Sequence, residues 1–148
     1  MPSPTTVLRL AALCWCLLAL WAGGVDAGFI VVRSAKNPTA KLTKDGVKAV
    51  FNGHTKAWSN GENVVLVIGS EESPAMGWLA TTLFGVSAKT YLAKLKQDVF
   101  KGDVQHPLSA DDDAKTIKRV QSGAGVVGVV SEEAAKALPP DVVAIAVD

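Results

Sequence analysis

Six consecutive residues, Gly69-Ser70-Glu71-Glu72-Ser73-Pro74, offer the clearest binding chemistry in the chain. They lie between an apolar β-branched run and a helix-like segment, so a strand turns there into a helix. The first backbone N–H groups of a helix lack intrahelical partners and sit at its positive end. With two hydroxyls nearby they can hold an anion. Ser70 and Ser73 are therefore the candidate ligand-binding residues. Ser73 also suits a helix cap, because Pro74 follows at the position where a missing N–H costs nothing. Glu71 and Glu72 oppose an anion, and the loop contains no Lys or Arg. Cap and ligand contact both stay open for Ser73.

Other chemistry-bearing residues point to structural roles. Gly123 to Gly128 spell G-A-G-V-V-G, which matches the dinucleotide pattern G-x-G-x-x-G. That pattern works only after a strand and before a helix. Here a helical segment precedes it and a strand follows, so these glycines read as a helix stop and a tight packing point. His54 and His106 stand far apart, with no carboxylate at ligand spacing, and read as surface loop residues. Asp111, Asp112 and Asp113 lack the alternating spacing of a calcium loop and suit the positive end of a helix. With no G-x-S-x-G elbow and no nucleophile–base pair, the chain is not read as an enzyme. No cofactor and no metal are expected.

The elements that must position these residues follow from periodicity. Residues 29–33 read as a buried strand and 44–51 as a helix capped by Thr43. Residues 64–68 are a second strand. Helices follow over 74–84, ending at Gly85, and from Ser87 to near Gly102. A loop or short strand covers 103–109, and a helix covers 110–122. Residues 126–130 are a strand, Ser131 caps a short helix, and 142–147 is the last strand. Strands separated by helices imply an α/β lobe with a largely parallel or mixed sheet covered on both sides.

Composition narrows the setting. The 148 residues carry 15 Lys+Arg against 14 Asp+Glu, a net charge of +1, which gives no field for nucleic acid. Residues 10–22 form an apolar run after Arg9, and small residues precede Gly28. At about 1.5 Å per residue the run reaches only about 20 Å, short of the roughly 30 Å hydrocarbon core. Residues 1–27 thus read as a secretory signal cleaved after Ala27, leaving no membrane anchor. Both cysteines, Cys14 and Cys16, fall within it, so residues 28–148 form an exported, disulfide-free domain, best placed in a bacterial periplasm.

Taken in order, several motifs carry a resemblance: Asn37-Pro38, Leu42-Thr43, Val50-Phe51-x-Gly53, Trp58-x-x-Gly61 and Ser73-Pro74, with Tyr91, Phe100-x-Gly102 and Pro107. Gly123 to Val130 (GAGVVGVV) stands where a G-A-I-G-Y-V motif would. The sequence resembles the second lobe of the substrate-binding proteins of phosphate ABC transporters, in the type 2 periplasmic-binding-protein superfamily, as a short single-lobe member. The resemblance implies a small anion such as phosphate as ligand, and an ABC permease or other envelope protein as partner. It also locates a departure. Where the ligand loop of that family reads R-x-D-G-S-G-T, alignment on Ser73 puts Gly69, Glu71, Pro74 and Ala75 at the arginine, aspartate, glycine and threonine positions. Met76 stands where short relatives often carry an arginine. A bidentate, charge-assisted grip is thereby missing, so any oxyanion is expected to bind weakly. The alternative expectation is a non-catalytic interaction or accessory module of the envelope that kept the fold and lost the phosphate site. Trp58, on a loop, would then help to form an exposed apolar surface.

Overall fold

The β-branched runs read from the sequence become the centre of one sheet in the computed structural model, which describes residues 28–148. The signal segment, residues 1–27, lies outside the described residues. In chain order the elements are β1 (Phe29–Ser34), β2 (Lys41–Leu42), α1 (Lys44–Phe51), β3 (Val65–Ile68) and α2 (Pro74–Leu79), which runs into a π turn over Ala80–Phe84. There follow α3 (Ala88–Phe100), β4 (Leu108–Ser109), α4 (Asp113–Gln121), β5 (Val126–Ser131), α5 (Glu132–Ala135), β6 (Val142–Ala144) and β7 (Ala146–Val147).

The sheet has the order β4-β3-β5-β1-β6. Strand β3 runs parallel to β4 and β5, while β1 runs antiparallel to β5 and β6. The sheet is therefore mixed, with helices on both faces, as the sequence implied. Alternation along each strand divides the core. Val31, Leu66, Val127 and Val129 face α1, α2 and α3, where Phe51, Leu79 and Leu95 are buried. Val32, Val67, Val126 and Val130 face the opposite side, where Val120 of α4 is buried. Residues buried on both faces explain why these strands are continuously apolar rather than alternating.

The helix starts behave unequally. Thr43 Oγ1 accepts from Gly46 N at 3.0 Å, and Asp112 Oδ1 accepts from Lys115 N at 2.7 Å. Ser131 Oγ accepts from Ala134 N at 3.2 Å, and Ser87 Oγ from Thr90 N at 3.2 Å. Ser73 occupies the cap position of α2 but makes no cap bond.

Three expectations need correction. The helix read over 74–84 widens into a π turn after Leu79, before Gly85 ends it in the left-handed region at φ 64°. The last strand is interrupted at Ile145, whose side chain turns into the core while its N–H donates to Val31 O at 2.8 Å. The pieces on either side pair separately, β6 with β1 and β7 with the short β2. Trp58 contributes no exposed surface: it is 5% exposed, and its indole Nε1 donates to Gly125 O at 2.9 Å.

That bond also explains the glycine motif. A Cβ on Gly125 would stand 1.9 Å from Asn63 O, and one on Gly128 would stand 2.7 Å from the Thr116 methyl. Gly125 lets the loop before β3 close on the start of β5, and Gly128 lets α4 lie against the sheet. Both positions serve packing.

Candidate functional site

Parallel β3, β4 and β5 end together, and antiparallel β1 begins beside them. A crevice outside the carboxyl ends of the strands is where open α/β sheets present their ligand sites. A cleft of about 280 Å³ opens there. Its walls include Phe29 at the start of β1, Gly69 and Ser73 after β3, Asp111 to Asp113 after β4, and Ser131 at the end of β5.

Gly69 sets the shape of the loop. A Cβ there would lie 2.9 Å from the Ser73 Cβ and 3.0 Å from Ala110 O. The bare backbone lets the Ser73 turn fold down against the end of β4, closed by Ser73 N donating to Ser70 O at 3.1 Å. The residue at the family's arginine position is thus one whose site leaves no room for a side chain without movement. Met76, at the other arginine position, points into the core and is 3% exposed.

The two candidate serines separate. Ser73 lines the cleft and is 9% exposed, and its hydroxyl has no hydrogen-bond partner among the described residues. Ser70 is exposed and lies outside the cleft wall. Its N–H donates to Asp111 Oδ1 at 3.1 Å.

Sequence reading missed the other side of the site. Asp113 of α4 reaches Ser131, accepting from its N–H through Oδ1 at 3.2 Å and from its hydroxyl through Oδ2 at 2.7 Å. Three groups that could otherwise donate to an anion, Ser70 N–H, Ser131 N–H and Ser131 O–H, are therefore engaged by the chain's own carboxylates. The cleft wall contains no Lys, Arg or His. The signal that could have found these residues is positional: each follows or ends a strand whose carboxyl end meets the same edge. The sequence showed Asp111 to Asp113 only as a helix start, which they also are.

The remaining candidates lie elsewhere. His54 and His106 are exposed on separate loops. Among the described residues no group of His, Cys, Asp and Glu side chains is placed to hold a metal ion, and no helix is long and apolar enough to cross a membrane.

A mixed five-stranded sheet, helices on both faces and a cleft at the strand ends define an α/β lobe. Its fold is similar to that of solved phosphate-transport receptors. The chain superposes on an ABC-type phosphate transport receptor from Vibrio cholerae with TM-score 0.54 and 15% identity, covering 82% of this chain and 46% of that one. For PstS from Borrelia burgdorferi the TM-score is 0.62 at 11% identity, with 82% and 47% covered. For a Clostridium perfringens structure with bound phosphate it is 0.61 at 17% identity, with 82% and 45% covered. The chain thus spans less than half the length of these structures. No family model matches the sequence, and no curated protein does.

Proposed function

We propose that this chain is an exported solute-binding lobe of the kind used in phosphate ABC transport, with the cleft beside Ser73 as its ligand mouth. The observation that carries this reading is a cleft at the carboxyl ends of β3, β4 and β5 whose wall includes Ser73, a helix-cap residue that makes no side-chain cap bond. A hydroxyl serving only its helix would bond to that helix, as Thr43 does. The setting is supported by the leader-like residues 1–27 and by the shared receptor fold. The role is binding without catalysis, with an ABC permease or another envelope protein as the macromolecular partner.

Oxyanions are held weakly. An oxyanion entering the cleft meets carboxylates on the donors it needs, and Lys115, beside the wall, already faces Asp112 at 4.0 Å, so orthophosphate binds in the millimolar range, on the order of −4 kcal/mol. Titration calorimetry and thermal shift with orthophosphate test this, with Ser73→Ala as the control. Weak saturable binding that the variant loses is the expected result. Saturable binding untouched by Ser73→Ala would move the ligand mouth elsewhere.

A second reading, a non-catalytic accessory module that kept the fold and lost the phosphate site, is favoured by Phe100. This side chain is 93% exposed at the end of α3, beside Lys96 and Lys101. Large apolar side chains so fully in water suit a contact surface. Crosslinking in the envelope and sedimentation separate the readings: a partner lost on Phe100→Ser, with no solute bound by the cleft, selects the second.

A further inference from the structure

We infer that the solvent-facing stripe of α3 docks the protein on an anionic lipid surface, with the Phe100 ring entering the headgroup layer and lysines pairing with lipid phosphates. This goes beyond the solute-binding reading and does not rest on the cleft.

The stripe follows from helical spacing. Lys89, Ala93, Lys96 and Phe100 recur at intervals of four, three and four residues, which sets them along one side of α3, and all four are exposed. The opposite side carries Ala88, Tyr91 and Leu95, which are buried. One face thus anchors the helix to the core and fixes the other toward solvent. From Lys89 to Lys101 the stripe runs about 18 Å at the rise of an α-helix.

Charge selects the partner. The chain as a whole carries a net charge of only +1, so any attraction is local. Lys89, Lys96 and Lys101 take part in no ion pair among the described residues. Asp98, the one acidic residue of α3, falls on the other flank of the helix and is held by Lys94 at 2.8 Å. The stripe is therefore a row of ammonium groups with no carboxylate among them, complementary to a negatively charged surface.

The one large apolar group in this row decides what kind of surface that is. Phe100 is 93% exposed, and the shallow recess beside it is walled by Ala93, Lys96, Gln97 and Lys101. The cores of protein–protein interfaces gather several aromatic or apolar anchors and are depleted in lysine. Here a single ring stands among lysine stems, with no second large apolar side chain in the recess. A lipid headgroup layer needs no preformed socket. It takes in one ring, while the lysine stems lie along the surface and their ammonium groups reach the phosphates. Such a contact lies on the bilayer rather than across it.

The test is cosedimentation of residues 28–148, which hold the whole sheet and both cores, with phosphatidylglycerol vesicles and with phosphatidylcholine vesicles. The expected result is partitioning onto phosphatidylglycerol at least about 10-fold stronger than onto phosphatidylcholine, and lost at high salt. Phe100→Ser should weaken it about 10-fold. Lys96→Gln with Lys101→Gln should weaken it about 25-fold, at about fivefold per lysine. Lys118→Gln with Lys136→Gln should leave it nearly unchanged, because these exposed lysines belong to α4 and the end of α5, which pack on the opposite face of the sheet. Equal losses from the two lysine pairs would show attraction by net charge alone and overturn the inference. Equal partitioning onto both lipids, or partitioning indifferent to Phe100→Ser, overturns it too. So does the absence of vesicle binding; if a photo-crosslinking side chain at Gln97 then captures an envelope protein, the face belongs to that protein. Orthophosphate titration of the same variants should match the parent, so failure of the lipid contact leaves the ligand mouth standing.

Discussion

Strands β3 and β5 end in two polar corners of opposite character. At their amino ends, Trp58, Asn63 and Gly125 meet in a corner that its own residues complete. The indole donates to Gly125 O, Val65 N donates to the same carbonyl at 3.0 Å, and the missing Cβ of Gly125 makes room for Asn63 O. At their carboxyl ends, the corner formed by Gly69, Ser73 and Asp111 to Asp113 also uses a glycine for close approach, yet leaves the Ser73 hydroxyl without a cap bond and a cleft open. Similar residue types do both jobs. What separates structure from site is whether the hydrogen-bonding capacity of the corner is exhausted from within.

The largest effect should come from disturbing the completed corner. Gly125→Ala places a methyl where a backbone oxygen stands 1.9 Å away, and the loop before β3 must open. Overpacking against backbone costs about 3 kcal/mol, roughly 10 °C in Tm for a domain of this size. Thermal denaturation checks it. An unchanged Tm would show that the corner is looser than the described packing.

Trp58→Phe comes next. It keeps most of the ring contact but removes the N–H to Gly125 O, leaving a buried carbonyl with one partner fewer. A loss of about 1–2 kcal/mol in denaturant unfolding is expected. The phosphate affinity of the distant cleft should not move. If it does, the two corners are coupled through β5 and the contrast between them fails.

Tyr91 gives a smaller effect with a pH signature. Its hydroxyl donates to Phe51 O at 2.7 Å, and burial pushes the phenol above its usual pKa. The unfolded chain releases this proton near pH 10 while the folded chain keeps it, so the folded form binds more protons above that pH. Stability from this group is complete below about pH 10 and falls as pH rises beyond it. Tyr91→Phe should cost about 1 kcal/mol at pH 7 and flatten the alkaline decline. A variant whose stability falls as steeply as the parent's above pH 10 would assign that decline to other groups.

The sheet was more legible from sequence than either corner. The runs FIVVR, VVLVI and VVGVV gave the strands directly, because burial on both faces leaves no alternation to misread. Thr43 and Ser131 gave two helix starts, while the helix read over 110–122 begins only at Asp113, with Asp112 as its cap; the order of Trp58, Gly61 and Gly123 to Gly128 carried the resemblance. Trp58 does lie on a loop but misled as an exposed one, since its hydrogen-bond partner lies 67 positions away and no local pattern announces it. The cleft was half visible. Ser73 stood out through its neighbours, but Asp113 and Ser131 belong to the site only because β4 and β5 align beside β3, a parallel pairing that carries no short-range signal. The split of the last strand at Ile145 is likewise decided by the inward turn of one side chain.

The smallest effect on stability is also the most discriminating. Thr43 and Ser73 both occupy helix cap positions, but only Thr43 bonds to its helix. Thr43→Ala should therefore cost about 1 kcal/mol, the usual value of a capping bond. Ser73→Ala removes a hydroxyl that bonds to nothing in the described residues, so its effect should stay within about 0.5 kcal/mol or favour the folded state slightly. Denaturant unfolding of the two variants side by side checks this. Equal losses would mean that the Ser73 hydroxyl caps α2 in solution, and the cleft would then be a second completed corner with nothing left over for a ligand. A stable Ser73→Ala protein that has lost its solute separates the two corners by experiment, because only at the open one does removing a polar group leave the fold intact and abolish binding.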